Sequence, residues 1–200
     1  GKGTLADPGD QRIIGNSTPR YNFGLVLDAS YKGFDVSIFF QGVGKRDYAP
    51  IVGTNGAVFW GAVNNIWQSM AMEEHFDYFR PEGHPMGANL NGYYPRPDFT
   101  SNKNHQVQTR YLQDASYIRL KNFQLGYTLP ASMIRKIGIT NCRIFVSGEN
   151  LWTGTKLSKL FDPETISGGN TDSNASAPIK SAGNAYPLSR TWSFGLSVSL

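Results

Sequence analysis

Arg190-Thr191-Trp192-Ser193-Phe194-Gly195-Leu196-Ser197-Val198-Ser199-Leu200 is the stretch whose reading decides the fold. From Thr191 it alternates without a fault. Trp192, Phe194, Leu196, Val198 and Leu200 fall on one side, and Thr191, Ser193, Gly195, Ser197 and Ser199 on the other. Successive side chains of a strand point to opposite faces, so this is a strand with one apolar and one polar face. Two environments suit such a strand. A soluble sandwich buries the apolar face under a second sheet, and a membrane barrel turns it to lipid while the polar face lines a watery lumen.

The same alternation recurs upstream. Tyr21, Phe23, Leu25, Leu27, Ala29 and Tyr31 oppose Asn22, Gly24, Val26, Asp28 and Ser30. Lys32-Gly33 then reads as a two-residue hairpin turn, with Gly where a positive φ is wanted. That turn predicts the pairs Tyr31 with Phe34, Ala29 with Val36, Leu27 with Ile38 and Leu25 with Phe40, all apolar. The other face pairs Ser30 with Asp35, Asp28 with Ser37 and Gly24 with Gln41, with Val26 and Phe39 its one apolar pair. A slip of one residue would carry a whole apolar row to the wet side, so the register is well determined.

Three more strands follow: 116–129, 141–151 and 191–200, after 21–32 and 34–43. In the third, Phe123, Leu125, Tyr127 and Leu129 are out of phase with Ile118 and Leu120, which predicts either a bulge near Lys121-Asn122 or an upper part that rises above the bilayer. In the fourth, Cys142, Ile144 and Val146 form the apolar row. The segments 44–114 and 152–190 read as long loops, the first with a candidate helix over 61–78 carrying Val63, Ile66, Trp67 and Met70 on one stripe. The 130–140 connection is short, with one helical turn expected through Met133 to Ile137. Connections therefore run short, long, short, long. Long loops at one end and short turns at the other mark transmembrane barrels, whose strands of about ten residues span an apolar band of about 25 Å. Tyr31, Phe34 and Tyr127 at the short-turn end, and Tyr21 and Trp192 at the other, suit interfacial girdles.

Composition agrees. Of 200 residues, 17% are charged, against about a quarter in ordinary soluble domains, while 13% are aromatic. The net charge of +4 comes without a dense basic run, so nucleic acid is not an expected partner. The one cysteine, Cys142, excludes an internal disulfide. No apolar run is long enough for a membrane-spanning helix. The sequence opens on Gly1-Lys2-Gly3, without a leader pattern, and is expected to be a processed product or a piece of something longer. Five strands leave backbone edges unpaired, a cost of several kcal/mol per group in lipid, so the expected fold is all-β, the C-terminal part of an incomplete antiparallel up-and-down barrel.

An ordered set of motifs carries a family resemblance. Ile14-Gly15-Asn16, Pro19-Arg20-Tyr21, Tyr31-Lys32-Gly33-Phe34-Asp35 and Gln41-Gly42-Val43-Gly44 come first. Tyr94-Pro95-Arg96, Ser116-Tyr117-Ile118-Arg119-Leu120-Lys121-Asn122, Leu125-Gly126-Tyr127, Glu149-Asn150-Leu151, Phe161-Asp162-Pro163-Glu164 and Tyr186-Pro187-Leu188 follow. In this order the chain resembles the late barrel of SusC/RagA-type TonB-dependent transporters. The resemblance implies import of oligosaccharides or peptides across the outer membrane of a Bacteroidetes-type bacterium. It also implies a 22-stranded plugged barrel, a SusD-type surface lipoprotein as lid, and coupling to the TonB complex through N-terminal parts that lie outside these residues. Ser193, Gly195, Val198 and Leu200 fit the terminal signal read by barrel-assembly machinery, with Leu200 in place of the usual aromatic.

Chemical motifs are sparse. His75 with Glu73 and Asp77 lacks metal-ligand spacing and reads as a loop face, as do His84 and His105. Asp172, Asn174 and Ser176 lack the Gly and closing Glu of a calcium loop. Gly42-Val43-Gly44-Lys45 lacks the following Ser or Thr of a phosphate loop. No catalytic triad or carboxylate pair stands out, so neither enzyme activity, metal nor cofactor is expected. Trp60, Trp67, Tyr93 and Tyr94 are the candidate ligand contacts, because sugar rings stack on aromatic faces. The plainer alternative is that they fold the loop against itself or against a lid partner. The alternative function is a soluble β-sandwich carbohydrate-binding module, and a third is a small autonomous barrel or enzyme.

Overall fold

The computed structural model describes residues 6, 7, 9, 12–50, 73–96, 108–166 and 186–199. They divide between two compact units. One holds a five-stranded antiparallel sheet ordered β1-β2-β5-β6-β7, from β1 (Asn22–Tyr31), β2 (Phe34–Val43), β5 (Tyr117–Thr128), β6 (Asn141–Thr155) and β7 (Thr191–Ser199). The other holds the short pair β3 (Asp47–Tyr48) and β4 (Gln113–Asp114) with segments of the long loops.

The first hairpin has the register that the turn dictates. Tyr31 pairs with Phe34, Ala29 with Val36, Leu27 with Ile38 and Leu25 with Phe40. Lys32 and Gly33 hold φ of 47° and 88°, the positive pair of a tight hairpin turn. Gly33 is further constrained, because a Cβ there would lie 2.8 Å from the Thr128 carbonyl oxygen, which sits beside the bond from Thr128 N–H to Gly33 O.

The apolar residues then line up in rows across the sheet. Tyr31, Phe34, Tyr127, Ile144 and Leu196 form one row; Ala29, Val36, Leu125, Val146 and Phe194 form the next. Leu27, Ile38, Phe123, Gly148 and Trp192 make the third, and Leu25, Phe40, Leu120 and Trp152 the fourth. Nothing among the described residues covers this face: Leu25 is 50% exposed and Phe194 84%. The sandwich alternative needs a second layer there, and none of the described residues supplies one. The sheet is also open, with β1 and β7 at its edges.

The expected bulge falls at Lys121, where the pairing steps from Leu120 to Asn122 against both neighbours. On β6 the same step skips Asn150 and Leu151, so two residues face one. Asn150 absorbs the kink at φ 53°, a region that Asn tolerates. The fourth strand therefore does not stop at 151. Beyond the bulge it resumes with Trp152 on the apolar face and runs to Thr155.

The 130–140 connection carries α1 (Ala131–Ile134) and a 3₁₀ turn, Arg135–Ile137. Within the long loop, β3 and β4 form a two-residue ladder that the sequence pattern did not reveal. The candidate helix at 61–78 lies mostly outside the described residues, and its end forms a 3₁₀ turn at Glu73–Phe76.

Candidate functional site

The polar face of the sheet is built in rows as well. Ser30, Asp35, Gly126, Phe145 and Gly195 share one; Asp28, Ser37, Gln124, Ser147 and Ser193 share the next. Arg143, one row away on β6, reaches diagonally across Gly126 to Asp35. Its Nε donates to Asp35 Oδ1 at 3.0 Å, and its Nη2 pairs with Oδ2. A Cβ on Gly126 would fall on both the guanidinium and the carboxylate, so glycine is what lets the pair cross β5. With its amide oxygen turned toward the guanidinium, Gln124 accepts from Arg143 at 3.0 and 3.2 Å. The guanidinium also lies 5.1 Å from the Phe145 ring centroid.

Phe145 in turn lies over Gly195, where a Cβ would collide with the ring. Large and small residues thus interlock along the polar face. Higher on the same face Arg119, 3% exposed, donates from Nε to Thr153 Oγ1 at 2.9 Å. Asp28 and Asp35 are legible on this face from the hairpin pattern, but Arg143 is not. Its partner lies 108 residues away and becomes its neighbour only through the register of three strands.

In the loop unit, an aromatic cluster is held by charged clamps. Tyr94 meets Tyr93 edge-on at 5.1 Å and His75 at 5.4 Å, and Tyr93 meets Tyr111 at 5.5 Å. Arg110 donates from Nη2 to Gly92 O at 2.6 Å and from Nε to Tyr93 O at 3.2 Å. Arg80 donates to Phe76 O at 2.7 Å and to Gly87 O at 2.9 Å. The Asp77 carboxylate accepts from Asn89 Nδ2 at 2.9 Å and Tyr93 N–H at 3.3 Å. Burial raises the phenol pKa of Tyr94, and neighbouring Tyr93, Glu74 and Asp77 push it further. Burial likewise raises Tyr93 and Tyr111.

Of the aromatic ligand candidates, Tyr94 is buried and offers little face for stacking, while Tyr93 is partly exposed. Trp60 and Trp67 lie outside the described residues. Among the described residues, no three His, Cys, Asp or Glu side chains gather as a metal site would require. His75 instead packs on Tyr94, and Asp77 is engaged with Asn89 and Tyr93. On β7, Ser193, Gly195 and Val198 sit in the last described strand, and Leu200 lies outside the described residues.

No protein-family model matches the chain. It is 32% identical over 193 residues to TonB-dependent receptor P3 of Formosa agariphila, covering 94% of this chain and 17% of that protein. It is 28% identical over 192 residues to TonB-dependent receptor P26 of the same organism, covering 95% and 18%. In structure it resembles a chain of the RagAB peptide importer in its open-open state, with a TM-score of 0.60 and 25% identity over 94% of this chain and 18% of that one. The chain thus spans less than a fifth of the length of these relatives.

Proposed function

This chain is a barrel portion of a SusC/RagA-type TonB-dependent receptor, and from that premise we propose that the protein it belongs to imports nutrients across the outer membrane. The cargo class is oligosaccharides or peptides, the energy comes through the TonB complex, and a SusD-type surface lipoprotein closes the loop side. The observation that carries this reading is the pair of opposed faces. The apolar rows meet no layer of the described chain, which suits hydrocarbon, while the reverse face carries an ion pair, serines and glycines suited to a watery, plugged interior. Catalysis is no part of the proposal.

Two residue-level proposals go with it. Ser193, Gly195, Val198 and Leu200 act as the barrel-assembly signal. Among the loop aromatics, Trp60, Trp67 and Tyr93 contact cargo, and Tyr94 acts through the shape of the loop it anchors.

The test is uptake by cells producing the full-length protein. Labelled oligopeptides and oligosaccharides are supplied with and without a protonophore, and with and without a SusD-type surface lipoprotein. Energy-dependent accumulation of one class, lost when the lipoprotein gene is deleted, is expected. Accumulation equal to that of receptor-deleted cells for both classes would overturn the proposal.

A further inference from the structure

The short-turn rim of the sheet carries a feature the transport reading does not use. The connection after β5 is a rigid amphipathic foot. Leu129 N–H donates to Cys142 O at 2.9 Å and Thr140 N–H to Ser199 O at 2.9 Å, tying both its ends to the sheet. Its helical turn closes with Gly138 at φ 78°, Gly138 N–H donating to Arg135 O at 3.2 Å and Ile139 N–H to Ile134 O at 3.3 Å. That pair of bonds is the glycine-terminated cap that fixes a helix end.

The foot has a one-sided surface. Ile134 is buried, and α1 packs against β6. Met133 and Ile137, four apart and on one helical stripe, are 63% and 71% exposed. By helical spacing Arg135 falls opposite that stripe, whereas Lys136, three residues from Met133, flanks it. On the adjoining hairpin turn Lys32 adds a third cation, its Nζ 5.1 Å from the Tyr31 ring centroid. The segments 31–33 and 128–140 contain no Asp or Glu. The foot joins the sheet at Leu129 and Cys142, both on the apolar phase of their strands. Cys142, on the row that includes Val198, is buried, whereas Ile144 two residues along β6 is 52% exposed.

We propose that this foot, with Met133 and Ile137 as its apolar edge and Arg135, Lys136 and Lys32 as its cations, docks onto the phospholipid surface at the short-turn side of the barrel. Met133 and Ile137 enter the boundary between headgroups and acyl chains, and the three cations meet lipid phosphates. Exposed apolar side chains beside an acid-free cationic cluster have the character of interfacial segments, whose binding combines apolar burial with attraction to anionic lipid. A water-facing turn would gain nothing from either. The inference rests on the membrane reading of the sheet.

The experiment uses the full-length protein in phospholipid nanodiscs. A bimane fluorophore is attached at Ile137→Cys and, separately, at Leu27→Cys, with the unsubstituted protein as labelling control. Lipids brominated at different acyl depths report lipid burial, and iodide reports water. Shallow brominated lipid is expected to quench the label at 137, deep lipid to quench the label at 27, and iodide to reach neither well. Arg135→Ala with Lys136→Ala should shift the label at 137 toward iodide in discs containing phosphatidylglycerol, and much less in phosphatidylcholine alone. Iodide quenching at 137 with lipid quenching at 27 would overturn the foot and leave the barrel reading standing. Shielding of 137 from both quenchers would mean a protein partner covers the turn and would overturn it equally. Iodide quenching at both positions would overturn the membrane reading itself.

Discussion

Replacing Leu27 with Arg puts a charge in the middle of the apolar rows. Leu27 is five residues from Asn22 and four from Tyr31 within β1. At about 3.3 Å per residue and about 40° of tilt, it sits roughly 10–13 Å in depth from either end of the strand, near the centre of a 25 Å band. Its row neighbours, Ile38, Phe123, Gly148 and Trp192, offer no polar group to receive the guanidinium. The expected cost is about 2–4 kcal/mol, or roughly 30- to 900-fold in the folding equilibrium. Tyr31→Arg, at the strand end where the headgroups begin, should cost only about 0–1 kcal/mol. Asp28→Asn, one residue away but on the polar face, should be mild. The assay is guanidinium unfolding of the full-length protein in phospholipid vesicles, followed by the heat-modifiable mobility of the barrel. A soluble core would penalise an arginine in any apolar row without regard to depth. Equal losses at Leu27 and Tyr31, or at Leu27 and Asp28, would refute the face assignment.

Gly195→Val should destabilise the barrel by about 1–3 kcal/mol because its side chain meets the Phe145 ring, and adding Phe145→Ala should recover much of that loss in the same unfolding assay. Absence of recovery would mean that Gly195 acts through assembly alone. Asn150→Val should cost about 1–2 kcal/mol at φ 53°, whereas Asn150→Gly should be close to neutral, again read by unfolding midpoints. Burial favours the neutral Tyr94 phenol in the folded loop, so this group should leave stability unchanged below about pH 10 and lower it as pH rises above that. Tyr94→Phe should remove part of that fall, which thermal melts of the full-length protein between about pH 9 and 11 would register.

The hairpin and the apolar rows were legible because a period of two leaves no freedom once a two-residue turn is fixed, and Lys32-Gly33 fixes it. The bulge at Lys121 was legible for the same reason: Leu120 and Phe123 are out of phase in the sequence itself. The end of β6 was not. Asn150 and Leu151 break the alternation, and only the opposite strand reveals that Trp152 resumes it. The Asp35–Arg143 pair was hidden because it depends on Gly126 holding a gap open between strands distant in sequence. In the loop, Tyr93 and Tyr94 looked like ligand platforms. The clamps by Arg80 and Arg110 end on backbone carbonyls, and Asp77 holds the Tyr93 backbone N–H besides the Asn89 side chain, partners that side-chain patterns reveal poorly.

Site-directed spin labelling along β2 addresses the two-faced sheet most directly. Labels placed one at a time from Phe34 to Val43 in the full-length protein, held in a bilayer, are probed with oxygen and with a water-soluble nickel chelate. Oxygen accessibility should peak at positions 34, 36, 38 and 40 and drop at 35, 37, 39 and 41, with the depth signal greatest near 38. A profile without that two-residue period, or with 36, 38 and 40 closed to oxygen and nickel alike, would contradict lipid contact along these rows.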